Sequence, residues 1–179
     1  MKLNPVLVSV ILLAIIINAP FAKDRQSQKF VDKSIAGIIV GKDREQAVTQ
    51  KFGNGTLVQG GYAVCYYNSY ENQSIIFELG PDKLIEGIIL SAEKRPGCTE
   101  INAKNKTSFV TGKGIRLGDS TNKIIKIYGE PEKKKTTEGI LIFEYHTDSE
   151  KDPQVRLFYD ANLHFKDDKL TKLSIHDGE

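Results

Sequence analysis

Tryptophan is absent from this 179-residue chain, and cysteine and histidine are scarce, at two and three residues. The small ligand supply weighs against a metal centre. A zinc site needs three or four converging ligands, and strand alternation sets His164 beside Lys172, with His176 near Asp160 and His146 on the polar side of its own strand. These three histidines read as solvated sheet-face residues. The acidic residues Asp148, Glu150, Asp152, Asp167 and Asp168 do not form a twelve-residue calcium loop with its required glycine, and read as turn and solubility residues. No Gly-x-Gly-x-x-Gly precedes a helix, and Gly112-Lys113-Gly114 lacks the rest of a phosphate loop. Neither Gly-x-Ser-x-Gly nor a plausible triad is present. Charge of one sign is lacking too: the formal net charge is +2. The one basic run, Lys133-Lys134-Lys135, follows a helix stop and reads as a solvated loop, so no nucleic-acid partner is expected. No metal and no cofactor are expected either.

Long apolar runs are likewise missing. Val6 to Ala19 is too short for a comfortable membrane span. With Lys2 before it and Ala19-Pro-Phe-Ala22 after it, the segment has the form of a bacterial export signal cut near Ala22. No lipid-accepting cysteine follows it, so a lipoprotein anchor is not expected, although an uncleaved anchor is the alternative to cleavage. The expected location is periplasmic or secreted. In such an oxidising compartment, Cys65 and Cys98 should pair across a loop of about 33 residues, which stabilises by roughly 3–4 kcal/mol in the chain-entropy model. A buried free thiol is the alternative. A nucleophilic cysteine is disfavoured because all three histidines lie far along the chain.

What the chain does contain is a marked strand–turn–helix pattern from Gly114 to Pro131. Asp119 and Ser120 can cap a helix start. Ile124, Ile127 and Tyr128 share one helical face. Gly129 and Pro131 end the helix. A weaker copy runs from Gly37 through Gly41 to Phe52 and Gly53. There Asp43 is the expected N-cap, Gln46 its capping-box partner, and Val48 and Phe52 the apolar pair. The first helix, from about Asp43 to Phe52, is expected to be one residue longer than the second.

Strands are expected at Tyr62 to Tyr67, Gln73 to Leu79 and Leu84 to Ser91, and then at Ile140 to His146, Val155 to Lys166 and Lys169 to His176. A bulge or break is expected at Asp160-Ala-Asn162. In the last hairpin, a three-residue loop through Lys169 should place Phe165 opposite Thr171 and Leu163 opposite Leu173. The chain then divides into a signal segment (1–22), a polar segment (23–34), a first unit (35–92), a connector (93–110) and a second unit (111–179). The fold class is α+β: two tandem repeats, each a helical segment on a roughly three-stranded antiparallel sheet.

The pattern Gly-Ile-x-Leu-Gly-Asp-Ser-x-x-Lys-Ile-Ile-x-x-Tyr-Gly-x-Pro, from Gly114 to Pro131, resembles the helical signature of the SmpA/OmlA (BamE-like) envelope family. The tandem arrangement is similar to that of the beta-lactamase inhibitor protein. The resemblance covers about residues 35–91 and 111–177. It implies an exported, non-enzymatic interaction module whose helices pack on antiparallel sheet. The chain departs from the envelope family in lacking a lipid-accepting cysteine, and from the inhibitor in having one expected disulfide rather than one per repeat, so no binding residue is transferred. Tyr62, Tyr66, Tyr67 and Tyr70 crowd the first strand of the first unit and its exit. They are the candidate partner contacts, although Val64 lies on the side of Tyr62 and Tyr66, where core packing is the competing role. The partner is expected to be another exported or envelope protein. An envelope maintenance factor and an enzyme of another type are the alternatives.

Overall fold

A computed structural model describes residues 32–101, 108–148 and 158–178. The chain is mixed α+β. A short hairpin, β1 (Ser34–Ile35) and β2 (Ile38–Ile39), precedes helix α1 (Glu45–Phe52). Four strands follow in a meander: β3 (Thr56–Val58), β4 (Ala63–Asn68), β5 (Gln73–Leu79) and β6 (Ile85–Ser91). A two-residue strand β7 (Thr99–Glu100) pairs parallel with β4. Helix α2 (Thr121–Tyr128) leads into a second meander: β8 (Lys133–Thr137), β9 (Ile140–Asp148), β10 (Phe158–Lys166) and β11 (Lys169–Gly178). The meanders join edge to edge, β6 against β11, in one sheet of order β3-β4-β5-β6-β11-β10-β9-β8.

Period-two alternation builds the core. Two rows of paired residues run across six strands of the sheet. One is Val64–Phe77–Ile88–Ile175–Ala161–Tyr145, and the other is Tyr66–Ile75–Leu90–Leu173–Leu163–Phe143. All twelve are buried in one cluster with Val48 and Phe52 of α1 and Ile124 and Tyr128 of α2. Both helices therefore cover the same face of a continuous sheet. The opposite face is the outer face of the sheet.

Each helix is held in the same manner. Gly53 and Gly129 end the helices with φ of 82° and 84°, a region that favours glycine. The carbonyl of Gly53 accepts from the Tyr66 hydroxyl at 2.8 Å, and that of Gly129 accepts from Tyr145 at 3.0 Å. Ahead of the helices, the Gly41 and Gly118 amides donate to the carbonyls of Ile85 and Leu170, each at 2.8 Å. Those residues in turn donate to the carbonyls of Asp43 and Asp119, again at 2.8 Å.

Several expectations change. Each meander has four strands rather than three. β3 was hidden because its three residues border a glycine-rich turn. β8 was hidden because it is an exposed edge strand whose lysines read as a loop, and charge is a common way to protect such an edge. The connector holds β7. The helices are equal, at eight residues each. Asp43 does not cap α1: its side chain accepts from the Ile39 amide at 2.8 Å, and Arg44 stands at the N-cap without a side-chain capping bond, its guanidinium turned to Asp82. Ser120 does cap α2, accepting from the Lys123 amide, while Asp119 accepts from the Arg116 amide and pairs with Lys123. Strand β10 passes Asp160–Asn162 without a break. The last hairpin has a two-residue turn, because Asp167 and Asp168 both adopt positive φ, at 51° and 59°. Phe165 thus faces Leu170, and a bulge after His164 restores Leu163 to Leu173.

Candidate functional site

The outer face differs between the two meanders. On the first, Ala63, Cys65 and Ile76 form a small buried cluster with Val58, Ile89 and Cys98. The Cys65–Cys98 disulfide, with a Cα–Cα distance of 4.9 Å, ties the connector over it. On the second meander most outer positions are polar, with Ile142 an apolar exception between Lys135 and His164, and His146, His164 and His176 all lie on this face.

Side chains on this face pair across strands. His146 Nδ1 lies 2.5 Å from Asp160 Oδ1, on directly opposed positions of β9 and β10. His176 Nδ1 lies 3.1 Å from Glu78 Oε2, although β6 runs between their strands. Gly87 makes that reach feasible. A Cβ there would stand 2.4 Å from Glu78 Oε2 and 2.7 Å from His176 Nδ1. The hydrogen bond from His176 holds the Glu78 carboxyl below the usual range against the opposing effect of burial, with the charges of His176 and Lys172 adding to it. Lys135 pairs with Glu144, whose carboxyl is also held low by that bond. His164 is pushed down by burial and by the cations Lys172 and Lys135.

Two recesses open on this face. One, of about 440 Å³, lies among Glu132, Lys133, Glu144, His146, Asp160 and Asn162. The other, of about 350 Å³, lies between strands β5, β6 and β11 and the segment from Glu93 to Pro96. No group of three or more His, Cys, Asp or Glu residues able to hold a metal comes together among the described residues.

The tyrosines separate. Tyr66 is fully buried, donating to Gly53 and packing on Phe52. Burial, with the nearby Glu45 charge, pushes its hydroxyl up to about 12. Tyr67 is 8% exposed and donates to Asn72 Oδ1 at 2.8 Å. These two are packing residues rather than partner contacts. Tyr62 and Tyr70 are 67% and 80% exposed. Tyr62 leaves the expected alternation because it closes a 3₁₀ turn (Gln59–Gly61) with φ −93° and ψ 8°, outside the extended region. The fold-motif residues Gly41, Asp43, Gly53, Gly118, Asp119, Ser120 and Gly129 position the helices and take no part in the outer-face pairs.

Sequence reading overlooked Glu78, Gly87 and the cations Lys94 and Arg95. An isolated glycine inside a strand was the available signal, since it often marks a close approach. It also overlooked Asp32. That carboxylate is buried and accepts from the Gly112 and Lys113 amides at 3.1 and 2.9 Å and from the Tyr128 hydroxyl at 2.8 Å. It fastens the start of the described chain to the end of α2. Its partners lie some 80 to 96 residues away, so no local pattern announced it.

No family model matches this chain, and no curated protein does. Among solved structures it is similar to a DUF4309 family protein (YjgB) from Bacillus subtilis, with 13% identity, 84% of this chain and 88% of that one covered, and a TM-score of 0.49.

Proposed function

We propose that this chain is an exported, non-enzymatic binding module that presents the outer face of its sheet to another protein. The observation that carries the reading is the segregation of the two faces. Both helices and the large core occupy one face, while the other displays ordered polar side chains across β9, β10 and β11. Its titratable groups satisfy one another in pairs, as His146–Asp160 and His176–Glu78 do, which suits recognition better than proton transfer to a substrate.

Export rests on the apolar segment before Ala22, which lies outside the described residues, and on the disulfide. Among the described residues no helix is long and apolar enough to cross a membrane. The resemblance to the BamE-like and inhibitor-like pattern is read as two copies of one unit. Matched tyrosine-to-glycine bonds at Tyr66–Gly53 and Tyr145–Gly129 support that, as do the matched loop contacts of Gly41 and Gly118. In this reading the partner is another exported or envelope protein.

Residues 23–179, immobilised, should retain one protein in stoichiometric amount from exported and envelope fractions. His146→Ala with Asp160→Ala should release it while the fold persists. Retention that survives those changes, or no retained protein, would count against this face as the binding surface.

A further inference from the structure

The recess beneath the connector has a chemistry that the rest of the outer face lacks. Lys94, Arg95 and Lys172 line it together with Ser74 and Ser91, and Glu93 is the one carboxylate among its lining residues. Every described contact of Arg95 and Lys172 leaves their cationic groups without an ion pair, whereas Lys133's neighbour Lys135 and the helix residue Lys123 are paired to carboxylates. Lys94 is held in place over the Tyr67 ring, 5.0 Å from its centroid. The two hydroxyls have different roles. Ser74 Oγ donates to the Glu93 carbonyl at 2.8 Å and accepts from the Arg95 amide at 2.9 Å, which fixes the segment that carries the cations. Ser91 Oγ accepts from the Glu93 amide at 3.2 Å, and its own hydrogen meets no acceptor among the described residues.

The wall is built rather than incidental. Cys98 is bonded to Cys65 on β4, so the cationic segment is pinned at both ends, by the disulfide and by Ser74. Positive potential spreads from Lys172 into its surroundings: it helps to hold Glu78 low and His164 low. Ile89 and Pro96 add an apolar side.

We infer that this recess is an anion site for a phosphate group, held by Arg95 and Lys172 with the Ser91 hydroxyl as a further donor. Three cations against one carboxylate favour a doubly charged group over a carboxylate, and Arg–phosphate and Lys–phosphate hydrogen bonds are charge-assisted. The site stands apart from the protein-partner reading, because a small anion can fill it with no macromolecule present.

The test is a titration of the disulfide-bonded protein with inorganic phosphate, followed by amide NMR at near-neutral pH and constant ionic strength. The expected result is saturable shifts at Ser91, Arg95 and Lys172, with His146 and Asp160 unmoved. Arg95→Gln and Lys172→Gln should each weaken binding about tenfold, the loss of one charge-assisted hydrogen bond. Ser91→Ala should weaken it less. These side chains are peripheral to the core, and the same spectra report whether each variant is folded. Parallel titration with phenyl phosphate separates the sources: tighter binding than inorganic phosphate assigns the site to a phosphate ester with an apolar body, and equal binding assigns it to the free anion. Non-saturating shifts, shifts centred elsewhere, or unchanged affinity in both charge variants would overturn the assignment.

Discussion

The second strand of each meander shows what the two halves do differently. In β4, Ala-Val-Cys-Tyr-Tyr-Asn, all six residues are buried. In β9, Ile-Leu-Ile-Phe-Glu-Tyr-His-Thr-Asp, burial alternates along the middle of the strand. The helices cover the inner side of both strands, so the contrast arises on the outer side. There β4 meets the connector through the Cys65–Cys98 disulfide, while β7 pairs along its edge, and β9 meets no described element. A strand covered on both faces needs apolar residues at consecutive positions, and one covered on a single face needs them at every second position. The same helix-and-meander order can thus carry a closed outer face on one half and an open polar face on the other.

The largest effect that would break this comparison comes from the buried tyrosine. Tyr66→Ala should destabilise by about 3–5 kcal/mol in chemical denaturation, as expected for removing a large core aromatic. Tyr62→Ala should stay within about 0.5 kcal/mol. Similar losses at both would mean that Tyr62 packs as Tyr66 does.

Next comes the disulfide. Replacing Cys65 and Cys98 by alanine should cost roughly 3–4 kcal/mol. Hydrogen exchange should quicken first in β4 and β7, with β9–β11 less affected. A uniform increase across both meanders would show that the closed face is not locally maintained by the bond.

The helix starts differ by about 1 kcal/mol in what they should lose. Ser120→Ala removes a side-chain cap from α2, a change of about 1 kcal/mol, whereas Arg44→Ala at the α1 N-cap removes none. Equal effects on thermal unfolding would contradict the difference in capping.

The alkaline limit sharpens the comparison further. An ordinary tyrosine titrates near 10, and Tyr66 is raised to about 12 in the folded chain. Its contribution is therefore complete below about 10 and lost as pH rises towards 12. Tyr66→Phe should reduce that alkaline loss of stability, measured by denaturation as a function of pH. No change between variant and parent would remove Tyr66 from the cause.

The smallest effect is Gly87→Ala. The added Cβ displaces the flexible ends of Glu78 and His176 rather than backbone. Stability should change little, while the Glu78 carboxyl should titrate higher by NMR once its His176 bond is broken. The low carboxyl pKa contributes stability above the ordinary glutamate range that fades as pH falls through the lowered value, so the variant should also lose part of that acid sensitivity. An unmoved carboxyl would show that the pair does not depend on Gly87.

Local chemistry made much of the fold legible. Ile124 and Tyr128, four apart, defined the buried face of α2, and Ser120 and Gly129 marked its ends, because caps and helical faces depend on residues within a turn or two. Alternation at Phe143 and Tyr145, and at Leu163 and Phe165, identified which sides of β9 and β10 face the core. The cysteine pair was legible from its scarcity and the expected compartment. Asp43 was misread because a side chain near a helix start can accept from the preceding loop as readily as from the helix, and only the path of β2 decided between them. Lys133–Thr137 gave no apolar signal, and became a strand because β9 offered it an edge.

The sequence by itself determined both ends of α2, the end of α1 and which strand faces are apolar, since these follow from neighbours along the chain. Tertiary structure alone decided that β6 meets β11, that both helices share one face, that Glu78 reaches His176 over Gly87, and that Asp32 holds Tyr128. Each of those joins residues far apart in sequence, and their energies exist only once the chain has folded back on itself.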